Sequence, residues 1–242
     1  AGAEVHYLGQ SPLSTSPLPR RVAGRTGKLL RYAELARRKR FDIVDGWLYL
    51  TDVLAASLRW YTRTPIVVSG RATLLPRRAF GPLSVPIDHL VNAHVDAIVA
   101  NSEAVAAANR GKAGVKPDKL IVIRNGVRPA PVIDAAERKR LRREMGAGPE
   151  DLLIGSVGNL REVKRQSLLV DAFASVAVSR PEMRLAIIGE GPMREALERQ
   201  VSRLGLAERV VLPGAKVDVR PQFDAFDVVA SASRVEGMPN AL

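Results

Sequence analysis

Short strand-like runs and helix-like segments alternate along nearly the whole chain of 242 residues. The strand-like runs are rich in aliphatic and β-branched residues, as in Pro65-Ile-Val-Val68. Continuous apolar runs of this kind suit the strands of a parallel sheet that is covered on both faces. The segments between them are long enough for crossover helices. The alternation therefore predicts an α/β fold built from parallel sheets flanked by helices.

The expected elements fall into two groups. In the first group we expect strands at residues 4–8, 41–44, 65–68, 97–100 and 120–123, and helices at residues 28–39, 52–61, 83–93 and from Ser102 as N-cap. In the second group we expect strands at residues 152–157, 184–188, 210–212 and 227–229, and helices at residues 164–178, 192–204 and 217–225. Pro192 at a first helical position and Gly205 just past a helix end are typical boundary residues.

A change of composition between the two groups indicates a domain boundary. Residues 127–151 hold three prolines and two glycines around one strongly charged helix, residues 134–145. Turn-forming residues at this density are typical of a linker. We therefore expect two Rossmann-like domains, residues 1–126 and 151–242, joined by a linker over residues 127–150. In such domains ligands bind beyond the carboxyl ends of the strands.

Composition excludes several kinds of site. The chain has no cysteine, which excludes disulfides, thiol catalysis and thiolate-bound metals. It contains no apolar run of the roughly 18 residues that a transmembrane helix needs. With 46% hydrophobic and 26% charged residues, the balance is that of a globular protein.

The net charge of +12 is concentrated in the first half of the chain. Residues 1–126 carry 19 Lys and Arg against 9 acidic residues, and nine of those basic residues lie between Arg20 and Arg40 with a single acidic one. Such a run is either a solvated helix face or a patch for an anionic partner. Because Tyr32 is the only aromatic residue in the run, an anionic membrane surface or acceptor fits better than single-stranded nucleic acid. No nucleic-acid partner is expected.

Three segments after predicted strands carry groups suited to a ligand site. The first, Ser156-Val-Gly-Asn-Leu-Arg-Glu-Val-Lys-Arg-Gln166, places cations near a helix start, where backbone N–H groups also favour phosphate. The second, Ile188-Gly-Glu-Gly-Pro192, permits a sharp turn and close backbone approach, and it lacks the dinucleotide fingerprint G-x-G-x-x-G. The third, SASRVEGMPN from Ser231, sets Glu236 before a glycine. A carboxylate there accepts hydrogen bonds from sugar hydroxyls or caps the following helix.

In this order, the three segments resemble the C-terminal domain of the retaining glycosyltransferases of family 4, which have the GT-B fold. VGNLREVKRQ resembles the V-G-R-L-x-x-x-K-G loop of that family, RLAIIGEGPMREALERQVSRLGLAERVVLPG its central strand and G-x-G-P turn, and SRVEGMPNAL the start of its S-x-x-E-G-x-P-N-x-x-x-E signature. The resemblance covers residues 98–242 well and residues 1–97 loosely. It implies sugar transfer from a nucleotide-diphosphate sugar to a glycan or lipid-linked acceptor, with retention and without a metal ion or other cofactor.

The resemblance also implies roles for individual residues. Lys164 would bind the donor diphosphate, and Glu236 would contact hydroxyls of the donor sugar. The other donor-binding residues would be Gly158, Asn159, Gly189, Gly191, Lys216, Val217, Gly237 and Met238. Asn159 stands where the family usually has an Arg, and Arg161 is expected to supply that charge. Many members of the family have a His on the acceptor side at the position where this chain has Arg71. The role of that His therefore does not transfer to Arg71.

No residue is assigned to a metal ion. His89 and His94 are five residues apart on a predicted helix, so they do not share a face as i, i+4 ligands would. The Asp-x-Asp pair of metal-dependent glycosyltransferases is absent from the sequence. We therefore expect Lys164 and its neighbours to stabilise the charge of the leaving diphosphate.

The resemblance further implies that the sequence is an internal part of a longer enzyme. The second Glu of the signature would lie two positions beyond Leu242, and the family's first strand and glycine-rich loop would precede Ala1. We expect such a part to be inactive by itself. The complete enzyme is expected in the cytoplasm or peripherally on the cytoplasmic face of the membrane.

Two other functions fit the same segments. A GT-B sugar-nucleotide epimerase would share the phosphate loops, and it would release an epimerised nucleotide sugar without any acceptor. A noncatalytic basic module would bind nucleic acid or another anionic surface in a salt-sensitive way, and it would have no affinity for nucleoside diphosphates.

Overall fold

The computed structural model of the chain describes residues 18–47, 49–71, 83–112 and 114–239. The chain divides into two compact units, Ala1–Asn125 and Gly126–Leu242. Within the described ranges, each unit contains a sheet of four parallel strands with helices between them. The predicted α/β class with two parallel sheets is thereby confirmed. The strand expected at residues 4–8 lies outside the described residues.

The first unit alternates helices and strands. Its elements are α1 (Leu18–Lys39), β1 (Ile43–Trp47), α2 (Tyr49–Thr62), β2 (Ile66–Arg71), α3 (Ser84–His94), β3 (Ala97–Ala100), α4 (Glu103–Asn109) and β4 (Leu120–Val122). The strands lie in the sequential order β1-β2-β3-β4, because each crossover places the next strand beside the previous one. This arrangement brings the ends of β2 and β3 to one edge of the sheet, with Arg71 opposite Ala100.

Two details of the first unit follow from its sequence. α1 buries Ala33 and Ala36 and exposes Arg38, as the helical spacing predicts. The helix begins ten residues earlier than expected, since Gly24 and Gly27 weaken the helical signal of its first half. The prediction of an N-cap before α4 is confirmed, because Ser102 Oγ accepts a hydrogen bond from Val105 N at 3.2 Å.

The second unit repeats the alternation. Its elements are α5 (Ala135–Glu144), β5 (Leu152–Val157), a 3-10 turn (Glu162–Lys164), α6 (Gln166–Ala177), β6 (Met183–Ile188), α7 (Arg194–Arg203), β7 (Val210–Gly214), α8 (Arg220–Ala225) and β8 (Val228–Val229). The strand order is β7-β6-β5-β8, so β5 and β6 occupy the centre. The glycine-containing loops after these two central strands therefore meet at one edge of the sheet.

Side chains of β6 alternate between the two faces of this sheet. Leu185 and Ile187 pack against α6 and α7, whereas Ala186 and Ile188 pack against α5 and α8. The charged helix α5, which the sequence places in a linker, thus forms part of this core. Gly155 of β5 faces the Phe226 ring so closely that a Cβ would lie 2.3 Å from ring carbons.

Three helix starts differ from the sequence-based expectation. α6 begins at Gln166 rather than at residue 164, because Arg165 adopts a left-handed conformation with φ 51°. α7 begins at Arg194, and the expectation that Pro192 is its first residue is wrong, because residues 191–193 form a turn instead. α8 begins at Arg220 rather than at residue 217.

A buried guanidinium ties α5 to the sheet of the second unit. Arg142 is 5% exposed, and its Nη1 donates to Asp227 Oδ2 at 2.8 Å and to Ala225 O at 3.0 Å. The same carboxylate oxygen accepts from Leu153 N at 2.8 Å. Burial raises the pKa of Asp227, but these hydrogen bonds and the charges of Arg142 and Arg138 lower it more, so the net shift is downward. This network fixes α5 to the sheet.

Within the described parts of the chain, no helix has both the length and the apolar character to cross a membrane.

Candidate active site

The loops that follow the strands of the second unit contact one another at the carboxyl edge of the sheet. Gly158 N donates to Ile188 O at 3.0 Å, and Gly189 N donates to Gly214 O at 3.0 Å. Leu160 N donates to Glu190 O at 2.9 Å. The first two of the three segments predicted to carry the chemistry therefore form one continuous backbone surface.

Glycine is required where these loops approach each other. A Cβ on Gly189 would lie 2.0 Å from Gly158 O, and one on Gly191 would lie 2.4 Å from Leu160 O. Both distances are far below van der Waals contact, so any side chain would separate the loops. The sequence-based expectation of a close backbone approach at Ile188-Gly-Glu-Gly-Pro192 is thus confirmed.

The third segment joins this surface through an ion pair. Lys164 Nζ donates a hydrogen bond to Glu236 Oε1, although the two residues are 72 positions apart. Arg234 N donates to Val163 O at 2.8 Å, which holds the segment on the 3-10 turn. Both side chains of the ion pair are only about one-quarter exposed, at 28% and 26%. The lysine and the carboxylate that sequence reasoning selected therefore lie in direct contact.

The environment of Glu236 favours its ionised form. Partial burial raises the pKa of this carboxyl, but hydrogen bonds from Lys164 and Ser233 and the Lys164 charge lower it more, so the pKa lies below its usual range. Glu236 is therefore ionised at neutral pH. Because the pKa of Glu236 is lower in the folded protein, the ion pair stabilises the fold fully at pH values above the ordinary pKa of a glutamate. This stabilisation is lost as the pH falls through the pKa of the folded protein.

The turn before α6 positions Lys164. Its Cε lies 4.0 Å from the place where a Cβ on Gly158 would be, so the lysine stem runs beside the first loop. Arg165 has φ 51° and ψ 37°, a left-handed conformation that is costly for a residue with a Cβ. Such conformations cluster at functional sites. The buried Gln166 donates from Nε2 to Asn159 O at 3.2 Å and thereby fixes the loop.

The other predicted donor-site residues have simpler surroundings. Arg161 is exposed and lies directly before the 3-10 turn. Lys216 Nζ lies 3.9 Å from Glu144 Oε2, and the Val217 side chain is fully exposed. Gly237 and Met238 are half-buried just after Glu236. Arg71 is the last residue of β2 in the other unit. The roles assigned to these residues stay predictions.

Two side chains at this edge were missed by sequence reasoning. Glu190 accepts a hydrogen bond from Arg194 Nη1 at 2.6 Å, and Arg194 Nη2 donates to Leu212 O at 2.9 Å. These contacts tie the turn after β6 to α7 and to β7. Their i, i+4 spacing across the turn is the signal that could have indicated the pair.

This edge offers a cation, a carboxylate and glycine backbone that a ligand can approach closely, which together suit a phosphorylated, hydroxyl-rich ligand. Among the described residues, no three acidic or histidine side chains are grouped so that they could hold a metal ion. The expectation of a metal-independent reaction remains an expectation.

Comparison with known families identifies the class of protein. Residues 2–130 match the family model described as Glycosyltransferase Family 4, and residues 151–242 match the one described as Glycosyl transferases group 1. The first match spans more than half of the chain. The chain therefore belongs to Glycosyltransferase Family 4, which the sequence resemblance predicted.

Particular relatives place the chain within that family. It is 24% identical over 252 residues to the D-inositol 3-phosphate glycosyltransferase of Segniliparus rotundus, covering 97% of this chain and 56% of the relative. It is 36% identical over 106 residues to a GDP-mannose-dependent phosphatidylinositol monomannoside mannosyltransferase of Mycolicibacterium smegmatis, covering 43% of this chain and 28% of the relative. The chain thus spans about half the length of the Segniliparus relative.

Solved structures share the fold. Anabaena HepE in complex with UDP-glucose matches with a TM-score of 0.74 and 22% identity, covering 86% of this chain and 57% of the other. Sucrose-phosphate synthase from Thermosynechococcus elongatus matches with a TM-score of 0.75 and 16% identity, covering 95% and 60%. These likenesses confirm the predicted two-domain class of glycosyltransferase fold.

Proposed function

We propose that the protein transfers a sugar from a nucleotide-diphosphate sugar to a glycan or lipid-linked acceptor, with retention and without a metal ion. The contact between Lys164 and Glu236 at the glycine-lined edge carries this proposal. It brings together the cation suited to a diphosphate and the carboxylate suited to sugar hydroxyls. Membership of Family 4 and the UDP-glucose bound in the HepE structure support the same donor class.

In the proposed reaction, the bond between the anomeric carbon and the diphosphate oxygen breaks, and its electron pair stays on that oxygen. Lys164, with Arg161 beside it, stabilises the charge that develops there. The acceptor hydroxyl oxygen bonds to the anomeric carbon, and its proton passes to the departing diphosphate oxygen. Glu236 fixes the sugar through hydrogen bonds, and Arg71 is proposed to face the acceptor.

The ion pair has a consequence for ligand binding. Lys164 donates a hydrogen bond to Glu236 in the structure. A diphosphate must therefore compete with the carboxylate for this lysine. A complete donor sugar compensates by occupying Glu236 with its hydroxyls, whereas a free nucleoside diphosphate does not.

Glu236→Gln is therefore expected to have opposite effects on turnover and on product binding. Sugar transfer should fall roughly 10- to 100-fold, since hydrogen bonds to a charged acceptor contribute about 1.5–3 kcal/mol. Free UDP or GDP should bind a few-fold more tightly, because the neutral amide holds Lys164 less strongly. Calorimetry with the nucleoside diphosphates and a radiolabelled transfer assay on the full-length protein measure the two effects.

The same assays test the alternatives. Epimerised nucleotide sugar formed without any acceptor would indicate an epimerase instead of a transferase. Salt-sensitive binding to nucleic acid, with no binding of either nucleoside diphosphate, would indicate a noncatalytic module. Weaker UDP and GDP binding in Glu236→Gln would show that the ion pair does not compete with the diphosphate.

We further propose that the basic end of α1 contacts an anionic membrane surface. Arg37, Arg38, Lys39 and Arg40 are exposed at the end of this helix, while Ala33 and Ala36 face the protein. Each basic residue close to an anionic lipid surface contributes about 1 kcal/mol. This surface would keep the enzyme at the cytoplasmic membrane face, where a lipid-linked acceptor is presented.

Replacing Arg37, Arg38, Lys39 and Arg40 together by Gln is expected to weaken binding to anionic vesicles by roughly tenfold or more. Flotation with vesicles of neutral lipid, and of neutral lipid mixed with anionic lipid, measures this effect in the full-length protein. Nucleotide affinity should stay unchanged as the control for folding. Equal partitioning onto both vesicle types, or none onto either, would assign the basic run to a solvated helix face.

A further inference from the structure

A cavity lined by basic residues lies in the second unit, away from the glycine-lined edge. It has a volume of about 250 Å³ and lies where α5 meets the loop leading into β5. One wall consists of four basic side chains of α5, and the other includes residues of that loop. These wall residues are Arg138, Lys139, Arg142 and Arg143 on the helix, and Ala147 and Pro149 in the loop.

The charges of α5 are sorted between its two sides. Its acidic residues Glu137 and Glu144 both form ion pairs with Arg140, and the distance from Arg140 Nη2 to Glu137 Oε1 is 2.6 Å. Arg140 does not line the cavity. On the cavity side, Arg138 and Arg142 share the single carboxylate of Asp227. Neither acidic residue of the helix is therefore available to neutralise the cavity wall.

Two of the cavity cations have no acidic partner among the described residues. Lys139 and Arg143 are exposed and one helical turn apart, so their Cβ atoms are about 5–6 Å from each other. Side chains of this length at that spacing can reach the same bound group. The pair therefore offers two neighbouring positive charges at the cavity, and neither forms an ion pair within the described residues.

The opposite wall is held rigidly. Arg142 Nη2 donates to Gly148 O at 3.3 Å, and Gly148 N donates to Asp151 Oδ2 at 2.7 Å. The buried arginine thus fixes the loop across the cavity from Lys139 and Arg143. A wall fixed in this way is pre-organised, which lowers the entropic cost of binding.

We infer that this cavity binds a phosphate monoester with a small apolar organic part. A phosphate monoester carries a charge of about −1.5 to −2 at pH 7, so it gains from both free cations, whereas a single carboxylate gains less. Ala147 and Pro149 provide apolar surface for the organic part. The volume is slightly below the roughly 300 Å³ at which drug-sized pockets begin, which suits a small ester.

This site is distinct from the proposed donor site. The cavity lies before the amino end of β5, whereas Gly158 follows its carboxyl end. Six residues of strand separate the two ends by about 20 Å. The inference does not depend on the proposed sugar transfer, because it uses none of the residues at the glycine-lined edge.

The test is a titration of the full-length protein with phenyl phosphate and with inorganic phosphate. The double variant Lys139→Gln, Arg143→Gln is expected to lose at least about tenfold in phenyl phosphate affinity. The matched control Arg140→Gln removes a cation from the other side of the same helix and should keep the affinity. Lys164→Ala should keep it as well, which separates this cavity from the donor site.

The phosphate source is distinguished by a second arm that uses phosphatidylcholine vesicles with and without phosphatidic acid. Loss of phosphatidic-acid binding in the double variant, without loss of soluble phenyl phosphate binding, would assign a lipid headgroup. The reverse would assign a free phosphate ester, and loss of both would show that either source is accepted. Unchanged affinity for both ligands in the double variant, or phenyl phosphate binding that only Lys164→Ala removes, would overturn the inference.

Discussion

Lys164→Ala is expected to lower sugar transfer by roughly 30- to 1000-fold in the full-length protein, which corresponds to about 2–4 kcal/mol of transition-state stabilisation. The lysine is fixed by contact with Glu236 and by the tight turn that ends at Arg165. A positioned cation needs little reorganisation when charge develops on the leaving diphosphate. Steady-state kinetics with UDP and GDP sugars measures the change in kcat/KM.

The control for this variant is Arg199→Ala. Arg199 is an exposed cation of α7 that pairs with Glu195, so its removal lowers the net charge equally without touching the candidate site. Its transfer rate should equal that of the unmodified protein. A Lys164→Ala protein that transfers sugar at the unmodified rate would remove the lysine from the mechanism, and the proposed function would lose its main support.

Arg142→Ala is expected to destabilise the second unit by about 3 kcal/mol or more, the range for breaking a buried ion pair. The variant leaves the Asp227 carboxylate without its main cation, and the carbonyls of Ala225 and Gly148 without a donor. Because the network joins α5 to the sheet, the loss weakens packing as well as charge pairing. Urea unfolding followed by circular dichroism measures the change in the free energy of unfolding.

The pH dependence of that loss provides an independent check. The pKa of Asp227 is lowered in the folded protein. Its contribution to the free energy of unfolding is therefore complete above about pH 4, the ordinary pKa of an aspartate. This contribution is lost as the pH falls through the pKa of the folded protein. The loss in the free energy of unfolding that Arg142→Ala causes should therefore be smaller in acid. Arg140→Ala, which breaks the exposed ion pairs with Glu137 and Glu144 on the same helix, should change stability little at any pH. Equal stability of Arg142→Ala and Arg140→Ala would show that the buried network does not stabilise the unit.

Local pattern made much of the fold predictable. The strand limits at residues 97–100 and 152–157 match the sequence-based expectation, since runs rich in aliphatic residues are a local signal. The sequence pattern places the starts of α6 and α7 too early, near Lys164 and Pro192. Periodicity cannot report that Arg165 is left-handed or that Pro192 lies in a turn, because both conformations depend on contacts with neighbouring loops.

The charged helix α5 shows a different kind of failure. Prolines and glycines around residues 134–145 indicate a linker, yet α5 packs into the core of the second unit through Leu141 and Met145. Two apolar residues among many charges give a weak amphipathic signal. The buried Arg142 then looks like another surface cation, because its partner Asp227 is 85 residues away in the chain.

Local sequence features are enough to indicate the class of the protein: strands alternate with helices, glycines follow the central strands, and Lys164 and Glu236 lie in segments typical of Family 4. These are local features, readable because propensity, periodicity and motif spacing act over a few residues. It is the packing of the folded chain that brings Lys164 and Glu236 into an ion pair and sets Asp227 against Arg142. The same packing places Lys139 and Arg143 in the lining of a separate cavity. Such contacts join residues far apart in the chain, and they depend on how helices pack on the sheet, which no local pattern specifies.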